Sequence, residues 1–97
     1  MPTYIVLIQY TQKGIEKIKD SPKRAEQAKK VIQKAGGQMK AFYLTMGHYD
    51  AVSIIEAPSD EAYTACVLAI AAAGAVRTET LRAFTEEEYR KIIASLP

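Results

Sequence analysis

The fold of this chain turns on Tyr43-Leu44-Thr45-Met46-Gly47-His48-Tyr49-Asp50-Ala51-Val52. Two β-type runs, Met39 to Met46 and Asp50 to Ala57, flank a connection that starts at Gly47. Glycine takes a positive φ at no steric cost, and a tight reversal between antiparallel strands commonly demands one. The stretch therefore reads as two antiparallel strands, and the remaining elements are placed on either side of them.

Upstream, Tyr4-Ile5-Val6-Leu7-Ile8-Gln9-Tyr10 is apolar at both alternating sets of positions, the pattern of a central strand covered on both faces. Thr11 to Lys19 reads as a short helical turn with Ile15 and Ile18 three apart. Ser21-Pro22 restarts the helix, with serine as N-cap and proline in the first turn. Ala25, Ala28, Ile32 and Ala35 then form an apolar stripe, and Gly36-Gly37 ends it. Downstream, Ser59 caps a second helix in which Asp60 and Glu61 favour the positive N-terminal end. Ala62, Cys66, Ala69 and Ala73 line one of its faces, widened by Val67, Leu68 and Ile70, and Gly74 closes it. Val76 to Phe84 is a fourth strand. Thr85-Glu86-Glu87-Glu88 is a capping box opening a last helix that carries Tyr89, Ile92, Ile93 and Leu96.

The order is βαββαβ plus a C-terminal helix, an α+β chain of the split-βαβ, ferredoxin-like kind. Both connecting helices can cover only one face of a four-stranded sheet. The other face carries Val, Ile, Tyr and Thr, and monomers rarely leave so large an apolar patch bare. Face-to-face pairing with a second copy is the expected solution.

The 97 residues make one domain, 1–97, with 48% hydrophobic and 25% charged side chains, ordinary for a soluble globular protein. A single cysteine excludes a disulfide framework, and Cys66 fits a reducing, cytoplasmic setting. Met1-Pro2-Thr3-Tyr4 lacks the features of a signal peptide, and the apolar run Ala65 to Ala73 is too short to span a bilayer. No membrane role is expected. Net charge is +2 but uneven: residues 1–40 hold nine Lys and Arg against three acids, and residues 41–97 hold four against eight. Such asymmetry suits an anionic partner or complementary self-packing. The lysines fall mostly on helices without interleaved aromatics, so no nucleic-acid partner is expected.

Gly47-His48-Tyr49-Asp50 resembles the Gly-x-Tyr-Asp signature of the GYD family of small bacterial and archaeal proteins. The resemblance extends over nearly the whole chain, through Ser21-Pro22-Lys23-Arg24, Ala41-Phe42-Tyr43-Leu44-Thr45-Met46 and Arg77-Thr78-Glu79-Thr80-Leu81-Arg82-Ala83-Phe84-Thr85. It implies a domain of the dimeric α/β-barrel type and carries over no catalytic residues.

Tyr49 and Asp50 are the foremost candidates for chemistry: a hydroxyl and a carboxylate at a strand end suit proton transfer or the grip of a polar ligand. The competing, structural reading has Asp50 accepting from turn amides and Tyr49 packing across the hairpin. His48 is the only histidine, with no partner ligands at metal-site spacing, so no metal is expected. Cys66 lies on an apolar stripe and reads as core. Ser21, Lys23 and Arg24 place cations in a helix's first turn, at a cost of about 0.3–1 kcal/mol per suitably placed charge, where a carboxylate or phosphate would be welcome. Otherwise Lys23 and Arg24 are solvated or paired with Asp20 and Glu26. Alternation sets Thr78, Thr80 and Arg82 on one face of the last strand, and Tyr43 with Thr45 likewise share a face. If Tyr43, Thr45, Thr78 and Thr80 converge, they line a small-ligand cavity; otherwise the threonines satisfy β propensity.

These residues favour a homo-oligomeric small-molecule-binding or sensing module that needs no cofactor. The alternatives are a small cofactor-independent enzyme, monooxygenase- or isomerase-like, and a purely structural assembly protein. Binding ranks above catalysis because cofactorless chemistry would rest on Tyr, Asp and Arg alone.

Overall fold

The β-branched, apolar run at the start of the chain forms the strand on which the others are registered. The computed structural model describes residues 1–97. Its elements run β1 (Thr3–Tyr10), α1 (Gln12–Glu16), a 3-10 turn (Ile18–Asp20), α2 (Ser21–Lys34), β2 (Gln38–Leu44), β3 (Ala51–Glu56), α3 (Asp60–Ala72), β4 (Val76–Ala83) and α4 (Glu86–Ala94). The strands lie in the order β2-β3-β1-β4, with every neighbouring pair antiparallel. This is the expected βαββαβ arrangement with a C-terminal helix.

Alternation sorts the side chains between two unlike faces. Tyr4 and Val6 of β1 and Ser53 and Ile55 of β3 are buried beneath α2 and α3. Ile32 of α2 completes that core at 1% exposure, a burial contributing about 1.5–3 kcal/mol. From α3 come Tyr63 and Cys66, with Val67 and Ile70 packed behind them. The core-facing side of α3 is thus centred on Tyr63 rather than on the alanines. Ile5, Leu7, Val52 and Ile54 point the other way and stay half-exposed, so β1 is covered on one face only.

Two local expectations change. The paired strands stop at Leu44 and resume at Ala51, leaving a six-residue loop in place of a tight reversal. Gly47 within it does take a positive φ, of 111°. Ser21 is not the cap of α2, because the 3-10 turn runs straight into the helix. The cap position falls to Asp20, which makes no side-chain cap bond. Ser59 and Thr85 do cap α3 and α4, and the Thr85–Glu88 capping box is complete.

Candidate functional site

The loop that defines the sequence signature is wired into the sheet. Asp50 accepts the backbone N–H of Tyr10 on its Oδ2 at 2.9 Å, while its own N–H donates to the Ile8 carbonyl at 2.8 Å. The carboxylate therefore terminates the β1 ladder and does not bind amides of its own turn. Thr45, past the end of β2, donates to the Tyr49 carbonyl at 2.7 Å. Tyr49 reaches beyond the β2–β3 loop: its hydroxyl donates to Glu79 of β4 at 2.7 Å, and this bond, followed by partial burial, raises its pKa. The pair holds the loop over the end of the sheet.

A second cluster ties α3 to the edge of the sheet. The rings of Tyr4 and Tyr63 stack with centroids 4.0 Å apart and planes within 7°. The Tyr4 hydroxyl donates to Asp60, and the Tyr63 hydroxyl shares a bond with Thr80 Oγ1. The Arg82 guanidinium lies 5.6 Å from the Tyr4 ring and 4.7 Å from that of Phe84, with its Nε 3.8 Å from Asp60. Burial, then the Asp60 bond and charge, push Tyr4 up to about 12. Thr80 and Arg82 thus serve this network, whose tyrosines stay protonated at neutral pH. The sequence reading missed Tyr4, Tyr63 and Asp60. Their signal was an aromatic three residues before Cys66, on the same helical face.

The convergence of Tyr43, Thr45, Thr78 and Thr80 does not occur. Pairing with Val52 puts Tyr43 on the uncovered face, while pairing with Ile8 puts Thr78 on the helix face. Since β2 and β4 are opposite edges of the sheet, the two pairs are also separated by both central strands.

On the helix side a cleft of about 260 Å³ separates α2 and α3 from the sheet. Small side chains keep it open: Ala25 and Ala28 line it from α2, Ala69 from α3 and Ala73 from the C-cap of α3. Tyr10, Ser21, Arg24 and Thr78 supply polar groups to its lining, and the Tyr10 and Ser21 hydroxyls are 3.1 Å apart. The cleft shares Arg24, Gln27, Ala73 and Ala75 with an adjoining surface pocket that adds Lys13, Lys17, Lys23 and Asp20. Arg24 donates to the carbonyls of Lys17 and Gly14 at 2.9 and 3.3 Å, not to Asp20 or Glu26; Glu26 pairs with Lys29. Arg24 lines both cavities, Ser21 lines the cleft alone, and Lys23 lines the adjoining pocket together with Lys13 and Lys17. No group of three or more His, Cys, Asp or Glu side chains is placed to hold a metal ion. Cys66 is buried, and that burial raises its thiol pKa.

On the opposite face, Ile5, Leu7, Val52, Ile54 and Leu81 form an apolar centre across three strands. Gln9, Tyr43, Glu56, Arg77 and Glu79 surround it, the polar-rimmed pattern of protein interfaces. Beyond the sheet, α4 makes almost no contact with the rest of the fold and exposes Tyr89, Ile92, Ile93 and Leu96.

These features define an α+β, ferredoxin-like domain with a helix-lined cleft behind its sheet and an uncovered apolar face in front. The GYD domain family model matches residues 4–93, and the chain belongs to that family. It is 33% identical over 84 residues to the glutamine synthetase and cystathionine beta-lyase binding protein of Thermus thermophilus, covering 86% of this chain and 88% of the relative. A crystal structure of a Thermus thermophilus protein superposes with a TM-score of 0.57 at 28% identity, over 88% of this chain and 95% of that one. The leucine response regulatory protein of Mycobacterium tuberculosis shares the fold, with a TM-score of 0.66 at 19% identity over 87% of this chain. The present chain spans 51% of that regulator's length. No helix is long and apolar enough to cross a membrane.

Proposed function

We propose that residues 1–97 act as a homo-oligomeric binding module that carries a small ligand and docks onto metabolic enzymes. The observation that carries this reading is the uncovered sheet face, with an apolar centre and a polar rim. Only 11 of the 97 residues are buried, so a single copy leaves much of its apolar surface in water. A second copy laid against this face removes that surface from water.

The enzyme-docking part is supported by the relative named for binding glutamine synthetase and cystathionine beta-lyase, which aligns along most of both chains. The catalytic alternative has less behind it. Asp50 is engaged by a backbone amide, Tyr49 by Glu79, and Arg82 by Asp60, which leaves these groups committed to the fold. The free, buried Cys66 fits a cytoplasmic setting.

Sedimentation velocity at micromolar concentration tests the assembly: dimers or multiples of dimers are expected, and a stable folded monomer would overturn it. Titration against purified glutamine synthetase and cystathionine beta-lyase tests the docking. Saturable binding to at least one enzyme is expected, and binding to neither removes that part of the reading.

A further inference from the structure

The cleft between α2, α3 and the sheet combines two properties that select one kind of guest. Its interior is apolar, and its volume of about 260 Å³ lies just below the range of drug-sized ligand sites, which suits a small guest. The pocket adjoining it carries Lys13, Lys17, Lys23 and Arg24 against Asp20 as its only acid. None of these four cations belongs to an ion pair; the four salt bridges of the molecule lie elsewhere. Lys13 and Arg24 are held toward the opening by backbone carbonyls of Ala73, Lys17 and Gly14, bonds that fix their positions and leave their charge uncompensated. Four unpaired cations around one opening repel each other, and an anion seated among them relieves that repulsion.

The lining adds directed hydrogen bonding. Tyr10 and Ser21 share one hydrogen bond at 3.1 Å, so whichever oxygen donates it, the other hydroxyl keeps a proton to offer. We infer that this cleft binds a small amphipathic carboxylate, with its hydrocarbon body between α2 and α3 and its carboxylate among Lys13, Lys17, Lys23 and Arg24. The assignment deepens the binding-module reading, on which it rests, by giving its ligand a site and a class. It also sets a selectivity. An α-ammonium group would enter the same cationic ring, so a free amino acid is disfavoured against the carboxylate of matching size.

Octanoate is the probe, titrated calorimetrically into the full chain, with octylammonium and leucine as controls. Saturable octanoate binding is expected, with both controls weaker by about tenfold or more, the loss typical of one charge-assisted contact. The double variant Lys17→Glu/Lys23→Glu, altered at two exposed positions, should weaken octanoate by a similar factor without lowering the melting temperature. Ala28→Leu fills the cleft from α2 and should abolish binding while the protein still melts cooperatively. If it does not fold, Ala69→Leu makes the same test from α3. Absence of octanoate binding at millimolar concentration, equal binding of octylammonium, or unchanged affinity in the double charge reversal would each overturn the assignment. Sedimentation of the same samples separates the two proposals. A dimer that ignores octanoate sinks the cleft alone, and a monomer that binds it sinks the assembly alone.

Discussion

Asp50 and Tyr49 are neighbours in sequence with different tasks in the fold. Asp50 satisfies the Tyr10 N–H at the end of β1, so Asp50→Ala leaves that donor without its partner. A loss of about 1–3 kcal/mol is expected from a urea midpoint. Asp50→Asn keeps an acceptor oxygen and should lose clearly less; equal losses would mean that charge and not acceptance matters here. Tyr4 gives the pH prediction. Its folded pKa is raised from 10.0 to about 12, so the folded state holds this proton more tightly than the unfolded chain does. The contribution is fully present below about pH 10 and is lost as pH rises toward about 12. Tyr49, Tyr63 and Cys66 shift the same way. Tyr4→Phe should therefore flatten, without abolishing, the fall in stability across that window. A slope identical to wild type would show that Tyr4 titrates normally.

Two glycines at the element scale look alike in sequence and differ in mechanism. Gly47 has a φ of 111° with nothing within 4 Å of an added Cβ. Gly47→Val should therefore cost about 1–3 kcal/mol through backbone strain alone. Gly14 has no positive φ, but a Cβ there would meet the Ala75 carbonyl oxygen at 2.1 Å, where α1 lies against the start of β4. Gly14→Ala must push these backbones apart and should be the more destabilising of the two, although alanine favours helices. A urea series on both variants checks the order. At the other end of the chain, Thr85 receives the Glu88 amide, and Glu88 returns the bond to the Thr85 amide, which holds the Glu88 carboxyl below its usual range. Thr85→Ala should cost α4 about 1 kcal/mol of helix stability. The readout is helical circular dichroism, and unchanged ellipticity would show that the cap is dispensable.

The whole molecule is long for its size. Its radius of gyration is 14.6 Å against about 12.5 Å expected for a compact chain of this length, and its extents are 52 × 31 × 17 Å. The excess reflects α4, which projects from a slab one sheet and one helical layer thick. Val52→Lys places a charge in the middle of the open face without touching the buried core. Sedimentation should then show dissociation, or at least a strongly raised dissociation constant, with near-native circular dichroism. An oligomer that survives Val52→Lys would move the interface to another surface, of which α3 offers one with Leu68 64% exposed.

Four features were legible in the sequence: the element order, the capped helix starts at Ser59 and Thr85, the positive φ of Gly47 and the uncovered sheet face. These follow from local physics: side-chain periodicity, the partners available to terminal amides, and the steric freedom of glycine. Which side chains meet was settled in three dimensions. Tyr43 and Thr78 share a composition that invites a common cavity, yet strand order and pleat place them on opposite edges and faces. Tyr49 finds Glu79, 30 positions away, and Asp50 finds the Tyr10 amide 40 positions back. The cationic cluster likewise depends on packing. Lys13 and Lys17 precede α2 in the chain and join Lys23 and Arg24 only because α1 lies back against the turn from α3 into β4, a close approach that Gly14 alone permits. Periodicity assigns a residue to a face, but which faces come together depends on long-range pairing that no local pattern encodes.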